Sequence, residues 1–214
     1  IYQEYLLNDF LHNKNSSHNI EIFVSYLVSK LVEKKISPNF PLYYGNIFIN
    51  MKRYTSEISY KEYEQIINNK YNNTYNVYQN KEDDLLLERY NFPVNLLFTE
   101  KLDGDLFLYS SKNKINSKEW ASYMLQVILA LTVIQKYFNI SHNDLHLSNI
   151  MYKSTELKYI YYSYKNTYFK VPTYSKIIKI IDWGRATYNF NHNEGKNTVF
   201  RKDGDAFGQY KYPL

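Results

Sequence analysis

Apolar side chains recur at helical spacing in two stretches of the chain. Over residues 19–34 they fall three or four positions apart, with polar residues on the other faces, which predicts an amphipathic helix. Pro38 and Pro41 follow it and cannot continue a helix. A longer apolar stripe runs over residues 117–137. Asn116 and Glu119 at its start form a pair typical of a helix N-terminus. We expect its apolar residues to face the core: Trp120, Met124, Val127, Ile128, Leu131 and Ile134.

Short β-rich runs accompany these helices. Residues 42–49 and 94–99 have the composition of strands, and the polar, asparagine-rich residues 61–84 between them predict an exposed insertion. After the second helix, a loop over residues 139–149 leads into further strands. The pattern there predicts strands at 150–152 and 177–181 and a tyrosine-rich hairpin at 159–170. The mixture of helices and strands predicts an α+β fold.

The composition narrows the class of protein. The chain has 214 residues, a net charge of +5, and 18% aromatic residues that give it large buriable surfaces, which disordered chains lack. It contains no cysteine, which excludes disulfides and fits a reducing, cytoplasmic compartment. Its lysines are scattered, and no apolar run approaches the roughly 20 residues that a membrane helix needs. We therefore expect neither a nucleic-acid partner nor a membrane.

Candidate chemistry is concentrated in two loops beside apolar strands. Asp144 and Asn149 lie in the first loop, and Asp182 follows the strand predicted at 177–181. Phosphoryl transfer needs one carboxylate to orient the attacking hydroxyl and accept its proton, and oxygen ligands to hold Mg²⁺ on the nucleotide phosphates. Asp144 suits the first role, and Asn149 and Asp182 suit the second.

These loops resemble those of the protein kinase superfamily. The sequence HNDLHLSN at residues 142–149 resembles the catalytic loop H-R-D-L-x-x-x-N, and DWG at 182–184 resembles D-F-G. The resemblance implies a two-lobed kinase-like fold, with ATP and Mg²⁺ as cofactors. It implies that Asp144 is the catalytic base and that Asn149 and Asp182 bind the metal.

The same resemblance implies roles for residues outside the two loops. Glu100 and Leu102 correspond to the hinge, whose backbone holds adenine, and Met151 corresponds to a residue beneath the adenine ring. Glu21, on the first predicted helix, corresponds to the partner of the ATP-binding lysine. The whole chain, 1–214, then forms a single kinase-like domain, with a partial small lobe and hinge strand in residues 1–100 and a partial large lobe in 101–214.

The sequence also departs from the kinase pattern. No Gly-rich loop or V-A-I-K strand is present, and the helices that complete the large lobe are missing, so we expect a fragment that is inactive alone. Asn143 replaces the catalytic-loop arginine, and His146 replaces a lysine. The interval from Asn149 to Asp182 is longer than usual. The segments PTY at residues 172–174, IDWGRA at 181–186 and DGDAFGQY at 203–210 resemble kinase-like proteins of large DNA viruses.

The expected function is that of an ATP-dependent protein serine/threonine kinase, with ATP and a protein substrate as its partners. Three alternatives stay open. His146 is compatible with a small-molecule kinase of the H-G-D-L-H type, and an incomplete site would fit a pseudokinase that only binds. His142, Asp144 and His146, with Asp182 or His192 as a further ligand, also resemble the ligands of a metal-dependent hydrolase. The phosphate acceptor, the regulation and the oligomeric state stay open.

Overall fold

The computed structural model describes residues 13–60, 63–64, 75–80, 84–202, 204 and 206–209. They divide into two compact units. The smaller unit contains the described part of residues 46–97, and the larger contains the described residues up to 45 and from 98 onward. All seven residues predicted to form the site belong to the larger unit. The division into lobes at residue 100 stays a prediction.

The smaller unit contains most of a three-stranded sheet of order β1-β3-β2. Its strands extend well beyond the runs predicted at 42–49 and 94–99, and β2 lies within the predicted insertion, most of which is outside the described residues. β2 pairs with β3 in antiparallel register, with Val77 opposite Leu87. The strand bounds are Tyr43–Glu57 for β1, Tyr75–Gln79 for β2 and Leu85–Thr99 for β3.

The described part of the larger unit has three α-helices, and the first and third begin within two residues of the predicted positions. They are α1 (Ser17–Glu33), α2 (Leu106–Lys112) and α3 (Ser117–Phe138). The Asn116 side chain accepts hydrogen bonds from the backbone of Lys118 and Glu119, both at 3.0 Å, so the predicted N-cap of α3 is confirmed. Asp105 caps α2 in the same way, by accepting from Leu108 N at 2.8 Å.

Two three-stranded sheets and one hairpin complete the larger unit. One sheet has the order β4-β6-β9 and the other β11-β10-β5, while β7 and β8 pair with each other as predicted. Lys165 and Asn166 form the hairpin turn, and both have positive φ, as a two-residue turn of this kind requires. The bounds are β4 Gly104–Asp105, β5 Ile140–Ser141, β6 Ile150–Ser154, β7 Tyr159–Tyr164, β8 Thr167–Pro172, β9 Lys176–Ile180, β10 Thr187–Phe190 and β11 Asn193–Gly195. This mixture of helices and small sheets is compatible with the predicted α+β class.

The main core of the larger unit forms between α1, α3 and the strands that lead into the two loops. Val24, Ile134 and Ile180 are completely buried there. The expected core face of α3 is wrong in one respect, because Ile128 is 57% exposed while Gln126 is fully buried. Gln126 accepts a hydrogen bond from Ile178 N at 2.9 Å, so a polar link to β9 takes the core position.

Helix α3 is also long and apolar enough to cross a membrane, by length and composition alone. The expectation that no apolar stretch reaches this length is therefore wrong. Core helices of soluble proteins pass the same test. Tyr123, Ala130 and Ile134 of α3 are fully buried in the main core, which accounts for its apolar character.

Candidate functional site

His142 connects the first loop to the strand that precedes the second. Its Nδ1 accepts a hydrogen bond from Asp144 N at 3.3 Å, so Nε2 must carry the ring proton that it donates to Ile181 O at 2.9 Å. Burial lowers the pKa of His142 below its usual value, which favours this neutral tautomer. His142 therefore holds the two loops together and keeps the Asp144 backbone in place.

Trp183 supports this connection from the core side. Its side chain is only 1% exposed, and its ring centroid lies 4.7 Å from that of His142 and 6.0 Å from that of Phe40. A large aromatic packed on both sides leaves its neighbours little freedom to move. Trp183 thus fixes the start of the second loop, where Asp182 lies.

Asn149 is buried at the end of a short 3₁₀ helix, Leu147–Asn149. Its Nδ2 donates to Asp144 O at 3.0 Å and lies 3.1 Å from His146 Nε2. Its backbone carbonyl accepts from Ile181 N at 3.1 Å, next to Asp182. Since its amide nitrogen is engaged within the loop, Asn149 keeps its side-chain oxygen Oδ1 available as a ligand.

Asp182 has a left-handed backbone conformation, with φ of 64°. Such a conformation is unusual for a residue with a side chain and is common at functional sites. The side chain is exposed, and its Oδ1 accepts from Gly184 N at 3.3 Å. A carboxylate and an amide oxygen are the ligand types that Mg²⁺ prefers, so Asp182 and Asn149 fit the predicted metal.

Glu21 lies on α1 and approaches the second loop at Gly184. A Cβ atom built on Gly184 would lie 3.3 Å from Asp182 Oδ1 and 3.7 Å from Glu21 Oε2, so the two carboxylates face the same point. Burial, followed by the negative charge of Asp182, raises the pKa of Glu21 to about 7. Its Oε2 is buried without a hydrogen-bond partner in the described part of the chain.

The N-terminus of α1 is fastened to the same loop. Ser17 Oγ donates to Gly184 O at 2.6 Å, and Asn197 Nδ2 donates to the same carbonyl at 2.7 Å. Asn197 is buried, and its Nδ2 also donates to Ala186 O at 3.1 Å. These bonds hold Glu21 against the loop that carries Asp182, although 161 residues of sequence separate them.

Glu100 makes an ion pair that the sequence did not reveal. Lys179 Nζ donates to Glu100 Oε2 at 2.9 Å and to Phe40 O at 2.9 Å, and the side chains of Lys179 and Glu100 are 6% and 18% exposed. The Glu100 N–H donates to Leu42 O at 2.8 Å. The Glu100 carbonyl and the Leu102 N–H make no hydrogen bond within the described residues, so they stay available to a ligand.

Met151 lies on β6, the central strand of the sheet β4-β6-β9. It lies opposite Asp105 on one side and opposite Lys179 on the other. Lys179 thus connects the strand of Met151 with the predicted hinge. The sequence did not signal the ion pair between Lys179 and Glu100, because Lys179 lies within the apolar run at 177–181.

Arg185 is a further residue that sequence reasoning missed. Its Nη1 donates to Asp144 Oδ1 at 3.1 Å and to Gln209 Oε1 at 2.9 Å. Asn143 Nδ2 donates to the Arg185 carbonyl at 3.1 Å. The second loop therefore contacts the first both through its backbone and through a charged side chain.

The structure thus places Asp144, Asn149 and Asp182 on two connected loops and Glu21 beside the second of them. The roles of these residues stay predictions. The alternative cluster of metal ligands does not form among the described residues. No three His, Cys, Asp or Glu side chains there come together in a way that could hold a metal ion. This removes the structural support for a hydrolase built on His142, Asp144 and His146.

Comparison with known proteins gives a partial similarity. No protein-family model matches the chain. The chain is 31% identical over 106 residues to a serine/threonine-protein kinase haspin homolog of Drosophila melanogaster. The similarity suggests a protein-kinase-like relationship. It covers 47% of this chain and 18% of the Drosophila protein, so the chain spans less than a fifth of that relative.

Proposed function

We propose that the chain is an ATP-dependent phosphotransferase of the protein serine/threonine kinase type. The observation that carries the proposal is the bond between Asn149 Nδ2 and Asp144 O, which fastens a metal-ligand candidate to a base candidate within one loop. His142 then joins this loop to the second one at Ile181. The partial similarity to a haspin homolog supports the same class of activity.

In this proposal Asp144 orients the hydroxyl of the acceptor and takes its proton. The acceptor oxygen forms a bond to the γ-phosphorus of ATP, the bond from that phosphorus to the leaving oxygen breaks, and ADP departs with the electron pair. Asn149 Oδ1 and the Asp182 carboxylate would hold Mg²⁺. When bound, this ion neutralises negative charge on the phosphates.

The adenine would bind beside β6. The Glu100 carbonyl and the Leu102 N–H supply one acceptor and one donor, which is the pair that an adenine edge requires. Met151 supplies an apolar surface for the ring. The Lys179–Glu100 ion pair and the Leu42 hydrogen bond support the backbone at the start of this segment.

Glu21 would pair with a cation that contacts the phosphates. Its buried carboxylate lies against Asp182 with one oxygen lacking a hydrogen bond, an arrangement that a positive charge would stabilise. We infer that a lysine provides this charge in the active protein. Cytoplasmic localisation and the resemblance to viral kinases stay predictions.

The test uses the longest natural form of the protein and measures transfer of labelled γ-phosphate from MgATP to a mixture of dephosphorylated casein and myelin basic protein. Asp144→Asn and Asp182→Ala are compared with the unsubstituted protein and with Asp84→Asn. Asp84 is an exposed residue of the smaller unit and serves as the matched control. We expect both site variants to lose at least about 100-fold in rate, and the control to keep full activity.

The other outcomes distinguish the alternatives. ATP turnover that labels a mixture of small hydroxylated compounds but no protein would favour a small-molecule kinase. MgATP binding without turnover would favour a pseudokinase. A protein that neither binds nor turns over MgATP would overturn the proposed function.

A further inference from the structure

Arg185 is held at three points around Asp144. Its side-chain Nη1 donates to Asp144 Oδ1 and to Gln209 Oε1, at 3.1 and 2.9 Å. Its carbonyl accepts from Asn143 Nδ2 at 3.1 Å, and the same Nδ2 donates to Thr187 Oγ1 at 3.1 Å. A long, flexible side chain that is anchored at its backbone carbonyl and by two hydrogen bonds from Nη1 has fewer conformations available.

The Asp144 carboxylate has no second ion-pair partner in the described part of the chain. Among the described residues, Arg185 provides its one ion pair. His146, two residues away in the same loop, has its Nε2 3.1 Å from Asn149 Nδ2. The cation that contacts Asp144 therefore comes from the opposite loop, three residues beyond Asp182.

Stability does not explain this ion pair. The side chains of Arg185 and Asp144 are 34% and 23% exposed, and ion pairs at such positions contribute at most about 1 kcal/mol to folding. The pair fixes an orientation instead, because a single N–H···O contact sets which carboxylate oxygen turns toward Arg185. The other oxygen, Oδ2, is then left to face an acceptor.

We propose that Arg185 is a positioning residue that orients the Asp144 carboxylate for proton transfer. The inference rests on the phosphotransferase function proposed above. Arg185 holds Oδ1, and Oδ2 takes the proton of the acceptor hydroxyl as the new O–P bond forms. Without Arg185, the carboxylate rotates freely about its side-chain torsions, and the productive orientation becomes one of several.

The test compares Arg185→Met, Arg185→Lys and the matched control Arg201→Met. Arg201 is exposed, lies in the same part of the chain, and takes part in no ion pair among the described residues. The readouts are kcat and KM for ATP in the protein assay above, and the unfolding midpoint in urea. We expect Arg185→Met to lower kcat about 100-fold with KM within a factor of two and an almost unchanged midpoint.

Two further measurements separate positioning from a general structural effect. Added guanidinium ion should restore part of the kcat of Arg185→Met and have no such effect on Arg201→Met, because it can re-form the contact with Asp144. In an Asp144→Asn background, Arg185→Met should cause no further loss of ATP turnover, because Arg185 acts through the Asp144 carboxylate. Arg185→Lys should keep more activity than Arg185→Met, since it retains a positive charge.

The inference fails if Arg185→Met retains the kcat of the unsubstituted protein. It also fails if the loss is equally large in the Asp144→Asn background, because Arg185 would then act independently of Asp144. Absence of ATP turnover in the unsubstituted protein would overturn the proposed function, and this inference with it. Normal turnover in the unsubstituted protein and in Arg185→Met together would overturn the inference alone.

Discussion

Replacement of Glu21 by glutamine tests whether a buried, uncompensated carboxylate lies against the second loop. Burial and the charge of Asp182 raise the pKa of Glu21 from 4.5 to about 7, while the backbone at Trp183 and Gly184 and the Ser25 side chain oppose the shift. A change of about 2.5 pKa units corresponds to about 3 kcal/mol of folding free energy. Glutamine has nearly the same shape and carries no charge at any pH.

The sign of the effect follows from where each state loses its proton. Below about pH 4.5 Glu21 is protonated in both states and costs nothing. Between pH 4.5 and about 7 the unfolded chain releases the proton while the folded chain retains it, so stability falls as pH rises. Above about pH 7 the loss is complete. Glu21→Gln avoids this loss, so its stability advantage over the unsubstituted chain should grow by about 2 to 3 kcal/mol from pH 5 to pH 8.

The assay is urea unfolding at pH 5, 6, 7 and 8, followed by the intrinsic fluorescence of Trp120 and Trp183. Glu33→Gln is the matched control, because Glu33 lies on the same helix but is exposed and paired with Lys30. Its pKa is lowered by the hydrogen bond from Lys30, so Glu33 is ionised throughout this pH range. A difference between Glu21→Gln and the unsubstituted chain that stays constant from pH 5 to pH 8 would refute the reasoning.

Two further predictions concern stability. Lys179→Met should destabilise the chain by about 3 kcal/mol, because it leaves the Glu100 carboxylate without its cation, and adding Glu100→Gln should recover part of the loss in urea unfolding. An equal loss in the single and double variants would contradict this. Asn116→Ala should lower the free energy of unfolding by about 1 kcal/mol, because it removes the cap of α3. The control Ser117→Ala, at an exposed neighbouring position, should change the urea midpoint little. Equal effects of the two substitutions would show that the cap is unimportant.

Local sequence patterns were sufficient for most elements of the larger unit. The period of 3.6 residues and the Asn116 cap predicted α3 to within one residue at its end, because both signals depend on neighbours in the chain. The hairpin was predicted from its composition, and the two loops from their motifs. These motifs also identified Asp144, Asn149 and Asp182 as a group before any geometry was known.

The sequence could not show which face of α3 is buried around Gln126 and Ile128. Hydrophobicity favoured Ile128, yet β9 offers Gln126 a backbone N–H from Ile178, and a buried hydrogen bond makes a polar core position acceptable. A partner strand 52 residues away determines this outcome. No local pattern carries that information.

The sequence by itself thus determined the helices, the hairpin, the α+β class and the motif residues of the two loops. The tertiary structure decided which charges meet: Glu21 with Asp182, Lys179 with Glu100, and Arg185 with Asp144. The physical reason is range. Capping and periodicity act within a few residues, whereas the pKa of a carboxylate and the orientation of a base depend on groups that only folding brings within a few ångströms.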